Sequence, residues 1–117
     1  MHEVKHILEA RVLTGDMSVV GEKSIDIERV FACDLMSDVL AFAGERTMLL
    51  TGLTNMQVIR TAEMLEIDVI VFVRGKVPNE EILELAEEKE ITILATMQGM
   101  YTSCGKLYQY GLNGANS

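Results

Sequence analysis

The sequence lacks an apolar run as long as a membrane span requires, although hydrophobic residues make up 49% of its 117 residues. A spanning helix takes roughly 20 predominantly apolar residues, so we expect no contact with a membrane. The chain also lacks an initial basic segment followed by an apolar one, so we expect no signal peptide and a cytoplasmic location. Cysteine is scarce as well, and we expect Cys33 and Cys104 to be reduced core residues and not a disulfide.

Positive charge is equally sparse. The formal net charge is −8, and no cluster of four basic residues occurs. Proteins that bind DNA or RNA place several Lys and Arg side chains on one face, so we exclude nucleic acid as a partner. The acidic residues are concentrated between Glu80 and Glu90, where they alternate with apolar residues at helical spacing. This pattern is typical of a solvated helix face.

The run 67–73 is the element around which the fold is organised, because it is β-branched and apolar on both faces. Such a run predicts a strand at the centre of a parallel sheet, with helices on both sides. From Thr47 onward, units of strand, turn and helix repeat. We therefore predict one domain over residues 1–111 with a three-layer α/β/α fold and a mixed, mostly parallel sheet of about five strands. Residues 112–117 are predicted to be a flexible tail.

Periodicity and capping signals place the remaining elements. Asp34 and Ser37 are predicted N-caps of the helix that Gly44 ends, and Thr54 and Gln57 have the spacing of a capping box. The other strands are predicted over 11–13, 27–32, 47–50 and 91–95, and the first and last helices over 3–10 and 100–110, with Gly111 as the final C-cap.

The segment from His2 to His6 matches the pattern H-E-x-x-H. In metalloproteases the two histidines of this pattern hold zinc and the glutamate activates a water molecule. A third ligand would have to come from elsewhere in the chain, and Glu22 or Glu28 could supply it. We favour residues of a surface helix, so we assign no metal ligand, and the zinc site stays an alternative.

The segment from Gly15 to Ser24 has some likeness to a phosphate-binding P-loop. That loop needs four residues between its glycines and a lysine directly after the second. Here five residues lie between Gly15 and Gly21, and Glu22 stands where the lysine is required. We therefore interpret the segment as an ordered turn or loose hairpin.

Nucleophilic or acid–base catalysis has few candidate residues. The neighbouring Asp34 would raise the pKa of Cys33, and no histidine lies near Ser37 in the sequence. Asp34 and Asp38 lie one helical turn apart and could form a divalent metal or acid–base site. Helix capping is the interpretation that we favour, and we assign no catalytic residue.

A group of polar residues follows the strands at the positions where open α/β sheets bind ligands. We expect Arg74 and backbone amides to bind negative charge, and Asp34 to bind a hydroxyl or an amine. Small polar residues are also common in turns for conformational reasons, and this alternative stays open. The predicted ligand-binding residues are Asp34, Ser37, Thr51, Gly52, Thr54, Asn55, Arg74, Gly75 and Thr96.

Residues 30–40 (VFACDLMSDVL), the turn 51–55 (TGLTN) and the run 68–96 together resemble the DRTGG-domain family. That family is similar in turn to the N-terminal domain of HPr kinase/phosphorylase, which lacks the kinase site. The resemblance implies a three-layer α/β fold in a bacterial or archaeal regulatory domain, found alone or beside CBS domains and phosphotransacetylase-type enzymes. It implies no established reaction, and the string D-R-T-G-G itself is absent from this chain.

Our first hypothesis is a non-enzymatic regulatory or sensor domain without a cofactor. It would form a homodimer and bind a small anionic metabolite or nucleotide, a regulated partner protein, or both. The eight methionines favour partner binding weakly, because methionine adapts to varied surfaces. One alternative is a small metal-dependent hydrolase that uses His2 and His6 or Asp34 and Asp38. Another is an assembly scaffold that binds a partner but neither ligand nor metal.

Overall fold

The computed structural model describes residues 2–15, 27–44 and 46–114. The helices in these ranges are α1 (His2–Leu8), α2 (Met36–Phe42), α3 (Met56–Leu65), α4 (Glu80–Glu88) and α5 (Met100–Tyr110). The strands are β1 (Arg11–Thr14), β2 (Arg29–Ala32), β3 (Thr47–Thr51), β4 (Val69–Phe72), β5 (Thr92–Ala95) and β6 (Asn113–Gly114).

The described strands form one mixed sheet of six strands in the order β1-β5-β4-β3-β2-β6. Strands β2, β3, β4 and β5 run parallel to one another, β6 is parallel to β2, and β1 is antiparallel to β5. Helices α2, α3 and α4 connect consecutive parallel strands, as crossover connections require. The predicted α/β fold with a mixed, mostly parallel sheet is confirmed.

Side chains alternate between the two faces of the sheet and form a core on each side. Leu49, Ile70, Phe72 and Ile93 pack with the buried residues of α2, α3 and α4. Met48, Leu50, Val71 and other residues of the opposite face pack with α1 and α5. Every residue of β4 is buried, so the central strand is covered on both sides, as its sequence predicted. Full burial of each such aliphatic side chain stabilises the fold by about 1.5–3 kcal/mol.

The C-terminal boundary of the fold differs from the prediction. Residues 113 and 114, expected in a flexible tail, pair with Arg29 and Val30 of β2 and form a sixth strand. Leu112 packs against the core on the side of α1 and α5. Asn and Gly have low intrinsic strand propensity. The extended conformation of this segment therefore comes from its pairing with β2 and not from its residue types. Residues 115–117 lie outside the described residues.

Two predicted helix caps are wrong. Helix α2 has Leu35 at its N-cap position and no side-chain cap, because the carboxylate of Asp34 binds another loop and Ser37 lies inside the helix. Helix α3 is capped by Asn55, whose side-chain oxygen accepts a hydrogen bond from the amide of Val58 at 3.3 Å. The predicted capping box at Thr54 is therefore displaced by one residue, to an amino acid that caps as well or better.

No described helix combines the length and the apolar character that a membrane crossing needs.

Candidate functional site

The carboxyl ends of β2, β3 and β4 meet at one edge of the sheet, because these three strands are parallel and adjacent. Their registers place Ala32 beside Leu50, and Thr51 beside Phe72. The last residue of each strand and the residues directly after it therefore lie at the same rim. Among them are Asp34, Thr51 with Gly52, and Arg74, which we call the rim cluster.

Asp34 holds the rim cluster together. Its Oδ1 accepts a hydrogen bond from the Thr51 hydroxyl at 2.8 Å and another from the Gly52 amide at 2.7 Å. The Thr51 hydroxyl in turn accepts a hydrogen bond from the amide of Leu53 at 3.1 Å. That amide contact fixes Thr51 Oγ1 as an acceptor on one side, so the hydroxyl proton is directed at Asp34.

Arg74 lies in a turn whose backbone conformation is strained. Its φ of 59° is in the left-handed region, and the following Gly75 has a φ of 71°. Two backbone hydrogen bonds hold this turn, from the Arg74 amide to the Gln98 carbonyl at 2.8 Å and from the Gly75 amide to the Thr96 carbonyl at 2.9 Å. A non-glycine residue in this conformation is uncommon, and it costs roughly 1–2 kcal/mol relative to the right-handed region.

The Arg74 side chain extends over Gly52. A Cβ atom added at Gly52 would lie 2.6 Å from Nη2 of Arg74, so a glycine is needed for the guanidinium to occupy this place. The same Nη2 atom lies 3.9 Å from Oδ2 of Asp34. The Arg74 and Asp34 side chains are 57% and 50% exposed, so both charged groups are accessible to a ligand in solution.

The environment lowers the pKa of Asp34. The hydrogen bond from the Gly52 amide is the main cause, partial burial opposes it, and the Thr51 hydroxyl and the positive charge of Arg74 add to the lowering. Asp34 is therefore ionised at neutral pH. A general acid or base that works near neutral pH needs a pKa close to that pH, so this shift disfavours a proton-transfer role.

The other predicted site residues have different surroundings. The buried Thr96 hydroxyl donates a hydrogen bond to the Leu8 carbonyl at 2.6 Å and accepts one from the Gln98 amide at 3.2 Å. Asn55 caps α3, and Ser37 is exposed in the first turn of α2. Thr54 precedes the Asn55 cap and is half-buried. The structure thus joins Asp34, Thr51, Gly52 and Arg74 by direct contacts, and it gives Thr96 and Asn55 hydrogen bonds within the fold.

Sequence reasoning missed the support that Gln98 gives to Arg74. The Gln98 carbonyl accepts the hydrogen bond of the Arg74 amide, and the neighbouring Gly99 lies close to the Arg74 side chain, where an added Cβ atom would be 3.9 Å from Cγ. The sequence showed a turn at these positions. Their relevance follows from the adjacency of β4 and β5, which brings the turn after β5 against Arg74.

The structure describes the histidine-based hydrolase alternative in part. His6 is exposed on α1, and the side chain of His2 and the whole of Glu22 lie outside the description. Glu28 forms an ion pair with Arg46 at 2.7 Å. Over residues 2–15, 27–44 and 46–114, no three His, Cys, Asp or Glu side chains are grouped so that they could hold a metal ion.

The glycine-bearing segment from Gly15 to Ser24 is described at its first residue. Gly15 has a φ of 83°, and a Cβ atom there would lie 2.8 Å from the Thr92 hydroxyl, so this glycine fits a tight turn against β5. The remainder of the segment lies outside the described residues.

Three clefts that are lined by described residues lie away from the rim cluster. The largest of the three, about 790 Å³, is lined by Lys5, His6, Lys106 and neighbouring residues of α1 and α5. A second, about 560 Å³, lies between β2 and α5 and includes Tyr101 and Tyr108. The third, about 120 Å³, lies between α3 and α4. We prefer the rim cluster as the candidate site because its charged and hydrogen-bonding groups converge from three separate strand ends.

No protein-family model and no curated protein sequence matches the chain. Among solved structures, the chain is similar to the CBS and DRTGG domains of the regulatory region of a Clostridium perfringens pyrophosphatase, which was crystallised with its activator, diadenosine tetraphosphate. The TM-score is 0.69 and the sequence identity is 17%. The match covers 93% of this chain and 46% of the other, so this chain spans about half the length of that regulatory region. The likeness shows that this chain shares the fold of part of that regulatory region.

Proposed function

We propose that the chain is a non-enzymatic regulatory domain that binds a small anionic or nucleotide-like ligand at the rim cluster. The observation that carries this proposal is the position of Arg74, whose guanidinium lies half-exposed at the carboxyl rim of a parallel sheet. Ligands of open α/β folds bind at this rim.

The backbone of Arg74 supports a role for its side chain. Glycine would adopt the left-handed conformation at this position without a steric penalty, and an arginine is present instead. Strain of this kind occurs at ligand-binding and active sites. Glu9, Arg46, Glu66 and Glu90 share this conformation, so it supports a role for Arg74 only together with the position of Arg74 at the rim. The guanidinium donates no hydrogen bond to a residue that the structure describes, so its N–H groups are available to an anion.

The structural neighbour supports the class of function. Its chain belongs to a regulatory region, and its bound activator is a dinucleotide. For the present chain we propose a nucleotide-like ligand by analogy, together with a cytoplasmic, prokaryotic setting and the DRTGG assignment. The further likeness to the N-terminal domain of HPr kinase/phosphorylase stays a prediction.

We also propose self-association or a partner protein on the surface of α5. Tyr101, Tyr108 and Tyr110 expose 91%, 68% and 55% of their surfaces there, and Met97 in the preceding turn exposes 83%. Exposed aromatic residues and methionine are enriched at protein interfaces. Sedimentation equilibrium tests the homodimer: the expected mass is twice that of the chain, and a monomer at high concentration would contradict it.

The ligand proposal is tested by calorimetric titration and thermal unfolding with ADP, ATP, diadenosine tetraphosphate and acetyl phosphate. A ligand at a hundredfold excess over its Kd should raise the free energy of unfolding by about 2.7 kcal/mol. In Arg74→Gly, affinity should fall at least about tenfold, as expected on loss of a charged hydrogen bond. The unfolding free energy of this variant without ligand should stay within about 1 kcal/mol of wild type, because relief of the left-handed strain offsets the added backbone entropy.

Arg60→Ala is the matched control, because it removes an exposed arginine from α3 and changes the net charge equally. It should bind ligand as wild type does. No stabilisation by any of the four compounds, or equal binding by Arg74→Gly, would contradict the proposal.

A further inference from the structure

The donors of the rim cluster are already partly engaged by the protein itself. The Gly52 amide and the Thr51 hydroxyl both donate to Oδ1 of Asp34. The formal charges of Asp34 and Arg74 cancel, with Oδ2 and Nη2 3.9 Å apart. A bare anion would therefore find one guanidinium to bind, with a fixed carboxylate beside it.

Two polar groups of the rim cluster have no hydrogen-bond partner among the described residues, one an acceptor and the other a donor. Oδ2 of Asp34 accepts no hydrogen bond from the described residues, and the Arg74 guanidinium donates none to them. A hydrogen-bond acceptor and a cationic donor are thus exposed side by side. The complementary ligand carries a hydroxyl donor close to a negatively charged group, as a nucleotide does with its ribose and phosphates.

We propose that Asp34 is the residue that sets ligand specificity, selecting hydroxyl-bearing organic phosphates over bare inorganic anions. This inference rests on the proposed function of the rim cluster. Oδ2 accepts the ligand hydroxyl and Arg74 binds its phosphate, while the negative charge of Asp34 repels an anion that lacks a donor.

Asp34 can perform this selection because its position is fixed. Two short hydrogen bonds to Oδ1, at 2.8 and 2.7 Å, orient the carboxylate and leave Oδ2 directed away from them. The same contacts lower the pKa of Asp34. The carboxylate therefore stays charged and in place across the neutral pH range.

Calorimetric titration at constant ionic strength tests the inference with three probes: ADP, 2′,3′-dideoxy-ADP and pyrophosphate. The first two differ in the ribose hydroxyls alone. Wild-type protein should bind ADP about tenfold more tightly than the dideoxy compound, the effect of one hydrogen bond to a charged group. This comparison uses wild-type protein alone, so it does not depend on whether a variant folds.

Asp34→Asn keeps an acceptor for the Gly52 amide and removes the charge. In this variant the preference for ADP over its dideoxy analogue should fall below about threefold, because an amide is a weaker acceptor than a carboxylate. Pyrophosphate should bind the variant more tightly than it binds wild type, because the negative charge that repels it is removed. Asp38→Asn, which removes a charge from the first turn of α2, should behave as wild type.

The outcomes separate the two proposals. If wild type binds ADP but the ratio of the two affinities is the same in Asp34→Asn, the specificity role of Asp34 is wrong and the ligand site stands. If wild type binds none of the three probes, the inference fails, and the proposed function fails as well when ATP, diadenosine tetraphosphate and acetyl phosphate also leave the protein unaffected. If Arg74→Gly binds ADP as wild type does, the proposed function fails and the inference fails with it.

Discussion

Thr51 and Thr96 each begin a turn at the end of a strand of the same sheet, and the two turns have the same hydrogen-bond pattern. The hydroxyl groups of these two residues nevertheless donate to different partners. Each hydroxyl accepts a hydrogen bond from the amide two residues later, that of Leu53 or Gln98. Thr96 then donates to the Leu8 carbonyl, which joins α1 to the sheet, whereas Thr51 donates to the half-exposed carboxylate of Asp34. A local turn motif therefore does not reveal function, because the element packed against it decides what the hydroxyl does.

The largest effect is expected for Thr96→Val. This substitution removes a buried hydroxyl and leaves the Leu8 carbonyl and the Gln98 amide without their partner. The free energy of unfolding, measured by urea denaturation, should fall by about 2 kcal/mol, the typical penalty for unsatisfied buried groups. Thr102→Val on the exposed side of α5 is the control and should change stability by less than about 0.5 kcal/mol. A stability equal to wild type would show that the contact with α1 is not structural.

A smaller loss of stability is expected for Thr51→Val. Thr51 itself is buried, but the carboxylate of Asp34 that accepts its hydrogen bond is half-exposed, so water can replace the lost hydroxyl at Asp34. The unfolding free energy should fall by about 1 kcal/mol. Ligand affinity should fall as well, since Asp34 loses one of the two groups that orient it. Loss of affinity in Thr96→Val equal to that in Thr51→Val, with both proteins folded, would remove the distinction between the two turns.

The smallest effect concerns pH. The pKa of Asp34 is lowered in the folded protein, so its stabilising contribution is present above the ordinary value of 3.8 and is lost as the pH falls through the lowered value. The carboxyl carbon of Asp34, followed by NMR, should titrate below pH 3.8, and the midpoint should rise towards that value in Thr51→Val and in Arg74→Gly.

The pKa of Asp68 is shifted in the opposite direction to that of Asp34, and the same NMR titration measures both. Burial, with the negative charge of Glu66, raises its pKa above 3.8. Its charge opposes folding above the ordinary pKa, so Asp68→Asn should stabilise the protein at neutral pH and lose this advantage in acid. A midpoint for Asp34 above that of Asp68 would contradict the hydrogen bonding at the rim.

Much of the fold was predictable from the sequence. The buried run around Val69–Phe72 identified the central strand because it is apolar on both faces. The C-terminal end of α5 was predictable because Gly111 ends the helix in a left-handed conformation, with a φ of 120°. Strand β6 was not predictable, since Asn113 and Gly114 become a strand by pairing with β2.

The rim cluster was predictable in part. The topology of parallel strands brought Asp34, Thr51, Gly52 and Arg74 to one rim, as expected. The partner of Asp34 was predicted wrongly as its own helix, because the competing donors are 17 and 18 residues away in the chain. Local capping rules contain no information about such distant groups, and the same limit applies to Thr96.

The central claim is that ligand binds between Asp34 and Arg74, and amide NMR with added ADP tests it most directly. Binding at this place should give saturable shifts that are largest at the amides of Gly52, Leu53 and Arg74, and that are lost in Arg74→Gly. Saturable shifts confined to the cleft between β2 and α5, or no shifts at all, would contradict it.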